Sequence, residues 1–206
     1  KNIYFNRQFL SFIIISGIII TLLILESNVY RPDAGLYHLP YIKILNDEKI
    51  IFGLANFHFR YAHISIIQYL SAISNNLIFG NNGIVFAQAL IASSVIINFS
   101  YKIYEYNKNR EYNFHFFYLV SIIIFIFYKM NRYSEYGNDA PSHFLFFFLV
   151  SEILKSKKRG IDNLLNNLLI ILFIILNKIT LLLSILLAAF DFKEIKLKKL
   201  FFSKKF

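Results

Sequence analysis

The sequence contains no cysteine, which excludes disulfides, thiolate chemistry and cysteine-based metal sites. It is also poor in charge, because only 17% of its 206 residues are charged, whereas a typical soluble domain has about 25%. Neither a glycine-rich phosphate loop nor a serine-nucleophile motif occurs. What is abundant is apolar surface: 57% of the residues are hydrophobic, and the mean hydropathy is +0.52. This composition predicts an integral membrane protein.

The net charge of +10 reflects 22 Lys and Arg against 12 Asp and Glu. A charge of this size is also found in nucleic-acid-binding proteins. Here, however, the basic residues form short clusters between apolar runs, which is typical of the cytoplasmic loops of membrane proteins. We therefore expect no nucleic-acid partner and use the charge to predict topology.

Seven apolar stretches are present, and their charges limit how many of them span the membrane. They are residues 9–25, 62–79, 84–100, 114–128, 143–154, 164–176 and 179–190. If all seven spanned, the basic segment 155–159 would lie outside, against the positive-inside rule. Stretch 62–79 is the natural exception, because its polar residues Ser65, Gln68, Ser71 and Asn75 recur at helical spacing. We predict that it lies in the interface; the alternative is that it spans and a later short stretch does not.

The resulting prediction is an all-α, polytopic transmembrane bundle in a single domain, 1–206. The six spans are 9–25, 84–100, 114–128, 143–154, 164–176 and 179–190, with extracytoplasmic loops 26–80 and 129–142 and a basic cytoplasmic tail 191–206. The first span is an uncleaved anchor, and 34–48 is a short surface helix. The last two spans form a hairpin whose tip, Asn177-Lys178, is near the outer face; one span over 164–187 is the alternative. We expect the chain to be an N-terminal fragment of a longer protein.

This topology collects polar side chains on the outer membrane face. Four of the five histidines face outward, with several acids and bases: His38, His58, His63, His143, Asp33, Asp139, Arg31, Arg60, Arg132 and Lys178. An acid at such a face can take a proton from a hydroxyl or hold a divalent metal, and cations can hold a phosphate leaving group. Those are the needs of a transferase whose donor is a lipid phosphate.

Each candidate also has a purely structural interpretation. Asp33 can cap the surface helix that follows it, and Asp139 can cap the helix that begins near Pro141. Tyr37 and His38 can lie at the interface as amphipathic rings. Lys178 can extend its ammonium from a helix end towards water. The residues alone leave these alternatives open.

The first loop carries a resemblance to a known superfamily. An anchor helix followed by an outer loop with an acid just past the membrane and a D-x-x-x-Y pattern resembles the GT-C polytopic glycosyltransferases. The segment DAGLYHLPYIKILNDEKIIFGLANFHFRYAHIS, 33–65, is similar to an uncharacterised bacterial branch of that superfamily, and GNDAPSHFLFFFL, 137–149, resembles the second acidic motif of the branch. The resemblance implies the GT-C fold, with interfacial helices in the first extracytoplasmic loop.

The resemblance also implies roles for particular residues. Asp33 corresponds to the first-loop carboxylate that acts in characterised relatives as the catalytic base or activates the acceptor, and Asp139 resembles a second acidic residue that is associated in some members with metal. Lys178 is similar to the lysine that faces the donor phosphate, although Lys-Ile-Thr stands here where Lys-Gly-Pro is usual. The remaining donor- or substrate-binding candidates are the tyrosine of the D-x-x-x-Y pattern and the residues of the branch motif: Tyr37, His38, Asn56, His58 and Arg60.

The function expected from this resemblance is transfer of a sugar from a polyprenyl-phosphate donor to a cell-envelope acceptor. The reaction would occur on the extracytoplasmic face of a bacterial plasma or inner membrane, in a multi-pass protein whose partners are the lipid bilayer and the donor. A divalent metal ion is a candidate cofactor. The alternative is a non-enzymatic polytopic protein: a transporter, a lipid-binding scaffold or an inactive GT-C relative. A transporter would keep ionisable residues near the bilayer midplane.

Overall fold

A computed structural model describes residues 7–26, 31–48, 51–62, 65–75, 78, 80–130, 136–155 and 161–192. This part of the chain is all-helical and contains no β-strand, which confirms the all-α part of the predicted fold class. Its α-helices are α1 (Arg7–Glu26), α2 (Leu39–Glu48), α3 (Ile66–Ser74), α4 (Phe86–Asn109), α5 (Phe114–Tyr128), α6 (Asp139–Lys155), α7 (Ile161–Asn177) and α8 (Ala188–Phe192). A π-helical turn, Ala34–His38, precedes α2, and 3₁₀ segments cover Leu54–Asn56, Phe59–Ala62, Gly80–Val85 and Ile179–Leu187.

Three of the long helices pack around α4. α1 and α5 both pack against α4, α6 packs against α4 and α5, and α7 packs against α6 and the 3₁₀ segment Ile179–Leu187. The core between α1, α4, α5 and α6 contains large, fully buried side chains, among them Phe99, Leu119, Ile126 and Phe144. A smaller apolar cluster around Ile174 joins α6 to α7. The helices therefore form one bundle with two adjoining cores.

Local signals explain the turn between α4 and α5. Arg110 ends α4 with a left-handed φ of 57°, a conformation that commonly closes a helix and lets the next amide return to it. The Glu111 amide accordingly donates to the Tyr106 carbonyl at 2.9 Å. Asn113 then caps α5, its side chain accepting from the Phe116 amide at 3.0 Å. This short connection makes α4 and α5 antiparallel neighbours.

The short helices of the first loop lie at one end of the bundle. α2 packs against α3, and α3 packs against α4, α7 and the 3₁₀ segment Gly80–Val85. Within that segment Gly83 passes directly against the backbone of Ser74, where any Cβ would overlap the Ser74 carbonyl. This close approach requires glycine. It places the end of α3 beside the start of α4.

The helix boundaries differ from the predicted spans at several places. α4 continues to Asn109, beyond the predicted end at 100, so Lys102 is a helix residue rather than a loop base. α6 begins at Asp139, four positions before the predicted start at 143. Stretch 62–79 contains α3, whose nine residues reach about 13 Å at 1.5 Å per residue. The break expected at Lys178 is present, because α7 ends at Asn177.

One helical stretch in the described chain, Gly80–Asn109, is long and apolar enough to cross a membrane on length and composition. Four shorter apolar helices accompany it: Leu10–Glu26, Phe114–Tyr128, Ile161–Asn177 and Ile179–Ala188. Several sequence-based expectations concern residues outside the described ranges. These are the placement of His63, Arg132, the bases 157–159 and the tail beyond 192.

Candidate functional site

The two polar loops meet around one cavity at the end of the bundle where α6 begins. The cavity has a volume of about 290 Å³. The first loop and the segment before α6 line it: Arg31, Pro32, Asp33, Tyr37, His38, Tyr136, Gly137, Asn138 and Asp139. About 100 residues of chain separate the two halves of this lining. Four of the residues singled out in the sequence (Asp33, Tyr37, His38 and Asp139) therefore share one cavity.

Asp33 opens into this cavity and is not acting as a helix cap. Its backbone is helical, with φ −61° and ψ −29°, and its side chain makes no capping hydrogen bond to the turn that follows. The side chain is exposed. Capping needs a non-helical backbone and a bond to the first-turn amides, so the capping alternative does not apply. Its carboxylate is accessible from the cavity.

Tyr37 lies one helical turn after Asp33, and the charges around it shift the pKa of its phenol. Burial raises the pKa of the Tyr37 phenol, and the negative charge of Asp33 raises it further, whereas the Arg60 guanidinium lowers it. The Cζ atom of Arg60 lies 5.2 Å from the centroid of the Tyr37 ring, within the range of a cation–π contact. Burial and the neighbouring Asp33 charge therefore both favour the neutral form of the Tyr37 phenol.

Lys178 contacts the cavity through Asp139. Its Nζ donates to Asp139 Oδ1 at 2.5 Å, and the two side chains are 21% and 28% exposed. The ammonium is therefore directed at a specific carboxylate, rather than simply extended towards water. In the described residues no group of three or more His, Asp or Glu side chains comes together as a metal site. The role of Asp139 as a metal ligand stays a prediction.

Asn177 holds the two halves of this site together. It is completely buried, and its side-chain amide donates to the Asn138 carbonyl at 2.8 Å and to Ser142 Oγ at 2.5 Å. Its Oδ1 accepts from Ser65 Oγ. The Asn138 side chain returns a bond to the Asn177 carbonyl at 3.2 Å. These bonds join the start of α6, the end of α7 and the start of α3. They therefore position Asp139 and Lys178, which are next to the bonded residues in the chain.

A second buried link runs from α3 to His38. Gln68 Oε1 accepts from the Ser65 amide at 3.2 Å, and its Nε2 lies 3.2 Å from His38 Nδ1. His38 is 6% exposed. His38 is therefore a buried, hydrogen-bonded wall of the cavity, and its placement at a membrane interface stays a prediction.

Asn56 and His58 do not line the cavity. Asn56 is exposed in a 3₁₀ turn. His58 Nδ1 accepts from the Arg60 amide at 3.3 Å, and its ring stacks on Phe59 with centroids 5.1 Å apart. His58 thus shapes the turn that presents Arg60 to Tyr37. The donor-binding roles that the resemblance implies for Asn56 and His58 stay predictions.

A second polar cluster lies near the other end of the bundle and was not predicted. Lys102 Nζ donates to Glu152 Oε1 at 2.6 Å and to Ser151 Oγ at 3.3 Å. Ser151 Oγ also lies 2.9 Å from His115 Nε2, and His115 Nδ1 lies 2.8 Å from the Tyr106 hydroxyl. Along α6, Glu152 is about 20 Å from Asp139 at 1.5 Å per residue. The cluster is therefore separate from the cavity.

The residues that were not predicted have a weak signal in the sequence, because each is a polar or ionisable residue within an apolar run. Asn177 interrupts an apolar run, and an uncharged polar residue in such a run needs a partner. Glu152 and His115 lie inside predicted spans, where ionisable residues are rare. Neither signal identifies the partner, because Asn177 binds residues 35, 39 and 112 positions away.

Fold and site together define a class: an all-helical protein with a polar cavity formed by its first loop and the segment before α6. The chain belongs to the family described as "Domain of unknown function (DUF8201)", which matches residues 1–205. No curated protein and no solved structure matches the chain.

Proposed function

We propose that this chain is a multi-pass membrane glycosyltransferase of GT-C type. It uses a polyprenyl-phosphate-linked sugar and acts on a cell-envelope acceptor at the extracytoplasmic face. The observation that carries the proposal is the convergence of Asp33, Tyr37 and Asp139 on one cavity, with Arg60 and Lys178 in contact with them.

The apolar outer surface supports the multi-pass part of this proposal. Large side chains are exposed along three of the long helices: Phe12, Ile15, Ile19 and Leu23 on α1, Phe117, Ile124 and Phe127 on α5, and Leu165, Leu169 and Leu172 on α7. Soluble monomers rarely expose contiguous apolar patches of this kind. Lipid is the solvent that such a surface requires, and the shorter helices can be accommodated by local thinning of the bilayer.

The proposed reaction is a direct displacement at the sugar. Asp33 takes the proton from the acceptor hydroxyl, the acceptor oxygen forms a bond to the anomeric carbon, and the bond from that carbon to the phosphate oxygen breaks. The electron pair leaves on the polyprenyl phosphate. Asp33 suits this role because its carboxylate is exposed in the cavity and needs only to reach the incoming hydroxyl.

The cations around the cavity suit the leaving group. Arg60 lies over Tyr37, and Lys178 lies against Asp139. A lipid phosphate that enters would compete with Asp139 for the Lys178 ammonium, because cations bind phosphate oxygens with charge-assisted hydrogen bonds. Since the described carboxylates do not assemble a three-ligand set, no step of this mechanism uses a metal.

The test is sugar transfer from radiolabelled polyprenyl-phosphate sugars to membrane glycans by the full-length protein. Asp33→Asn should lower the rate by about 10²-fold or more, as expected when a positioned general base is removed. Asp162→Asn is the matched control, because Asp162 is exposed in the first turn of α7, far from the cavity. Transfer by Asp33→Asn at the rate of the control would remove Asp33 from the mechanism.

A transporter is the second candidate, and the Lys102–Glu152 pair favours it. Lys102 is buried and pairs with Glu152 on a different helix, and buried ionisable pairs between helices are a feature of transporters and proton relays. Purified protein in liposomes should then move protons when a pH gradient is applied, and Glu152→Gln should stop the flux. Equal flux through protein-containing and empty liposomes would reject the transporter.

A further inference from the structure

A second cavity adjoins the candidate site on the far side of Tyr136. It has a volume of about 440 Å³, which falls in the range of about 300–1,000 Å³ for small-molecule pockets. Tyr136 lines both cavities. A gap of about 10 Å³, large enough for roughly one water molecule, lies between them and is also lined by Tyr136. The two cavities are therefore neighbours with one shared wall.

Polar side chains from four separate segments line the second cavity. Lys43, Asn46 and Asp47 project from one face of α2, Asn75 follows α3, Asn81 precedes α4, and Tyr136 precedes α6. None of these six side chains is hydrogen-bonded to another residue of the described chain. Asn46, Asp47 and Asn81 are exposed. Donors and acceptors thus remain available to a ligand.

The charge of this lining indicates what the ligand is. The Lys43 ammonium and the Asp47 carboxylate cancel, so the described residues of the lining carry no net formal charge. A phosphate-bearing ligand would require excess cations, and a hard divalent cation would require several oxygen ligands with more carboxylates than one. Three amides offer a donor and an acceptor each, which suits a ligand that presents many hydroxyl groups and no charge.

The remaining lining fits the same class of ligand. Leu39, Ile42 and Ile84 supply apolar surface, and Tyr136 supplies an aromatic ring. A sugar ring presents hydroxyls at its edge and C–H groups on its faces. The amides and the apolar side chains of the lining match these two parts, as in small-molecule sites where a few polar groups orient a ligand against apolar walls.

We propose that this amide-lined cavity binds a neutral sugar unit. Sugar binding follows from the lining alone. Its use as the acceptor subsite rests on the proposed function, because the cavity adjoins Asp33 only across the Tyr136 wall. A neutral glycan seated there would direct a hydroxyl past Tyr136 into the cavity that contains Asp33.

Saturation-transfer NMR on the full chain in lipid nanodiscs tests the binding. The probes are methyl glucoside, methyl mannoside, methyl galactoside and N-acetylglucosamine, with glucuronate and glucosamine as charged counterparts. At least one neutral probe should saturate and bind more tightly than both charged ones. The double variant Asn46→Ala/Asn81→Ala should weaken its binding about tenfold through lost hydrogen bonds, and Asn163→Ala, an exposed asparagine on α7, should leave it unchanged.

Three results would overturn the inference: no neutral probe binds, the charged probes bind equally well, or the double variant binds like the wild type. Asn46→Asp keeps the side-chain shape and adds a negative charge, so it should shift preference towards the glucosamine cation. If the double variant unfolds at a lower temperature than the wild type, its weaker binding could reflect unfolding, and the binding preference of Asn46→Asp then tests the sugar site. An unchanged preference in Asn46→Asp would count against the cavity.

Asp33→Asn separates this inference from the proposed function. The variant should bind the neutral sugar as the wild type does, since Asp33 does not line the second cavity. If transfer is absent in the wild type but sugar binding depends on Asn46 and Asn81, the glycosyltransferase proposal fails and the sugar site stands. If transfer depends on Asp33 while sugar binding does not depend on these asparagines, the sugar site fails.

Discussion

Replacing Asn177 by alanine should loosen the candidate site and the end of the bundle where α6 begins. The change removes three side-chain hydrogen bonds, to Ser65 Oγ, the Asn138 carbonyl and Ser142 Oγ. Asn138 and Ser142 keep a bond to each other at 3.0 Å, whereas the Ser65 hydroxyl loses the acceptor to which it donates its proton. Asn177 is fully buried, and water does not replace these bonds without a rearrangement.

The expected cost follows from that count. At about 0.5–1.5 kcal/mol for each buried hydrogen bond, and about 0.6 kcal/mol on average between membrane helices, three bonds amount to about 2–4 kcal/mol. Reversible unfolding in mixed detergent micelles measures this loss. Asn163→Ala is the control on the same helix, since exposed substitutions usually change stability by less than about 0.5 kcal/mol. Equal stability of the two variants would refute the argument that Asn177 joins α3, α6 and α7.

Three further predictions concern other parts of the structure. The Tyr37 phenol should titrate above its ordinary pKa of 10.0, and this pKa should move down in Asp33→Asn; NMR of ¹³C-labelled tyrosine, assigned with Tyr37→Phe, measures it. Because the folded-state pKa is raised, the contribution of the phenol to stability is complete below about pH 10 and is lost as the pH rises through the folded value. A titration midpoint at the ordinary value would contradict the described contacts. Glu152→Leu should lower stability by about 2–4 kcal/mol, because it strands the buried Lys102 ammonium, and Lys102→Met added to it should recover most of the loss; additive losses in the double variant would show that the two charges are not coupled. Gly83→Ala should cost about 2–3 kcal/mol of unfolding free energy, because the new methyl group overlaps the Ser74 carbonyl. Gly17→Ala should cost less, because its methyl group would meet only the Ile97 side chain at 3.3 Å. The reverse order of the two losses would contradict the described packing.

The main helices follow from apolar runs and turn residues. α5, Phe114–Tyr128, has the bounds of its predicted span, and α7 ends at Asn177, where the sequence predicts the break before Lys178. α4 runs past its predicted end because Lys102 is accommodated by Glu152, a partner 50 positions away. A hydropathy pattern shows that a charged residue is unfavourable in an apolar helix, but it does not show which distant residue pairs with that charge.

The candidate site was predictable only in part, for the same reason. Asp33 and Tyr37 are one helical turn apart, so the sequence alone brings them together. The capping alternative for Asp33 depended on a backbone angle and a hydrogen bond, and only the tertiary structure decides those. Likewise, nothing in the sequence separates Arg60, which lies over Tyr37, from its neighbour His58, which supports the turn behind it.

Sequence by itself determined the helical class, the apolar surface and the two polar loops, because these depend on composition and on periodicity along a single segment. Tertiary structure decided which residues share a cavity. Lys178 faces Asp139, Asn177 joins three helices, and Tyr136 separates two cavities. Each of these contacts joins residues that are distant in the chain, and their pairing depends on how helices pack and on which buried polar groups must find partners.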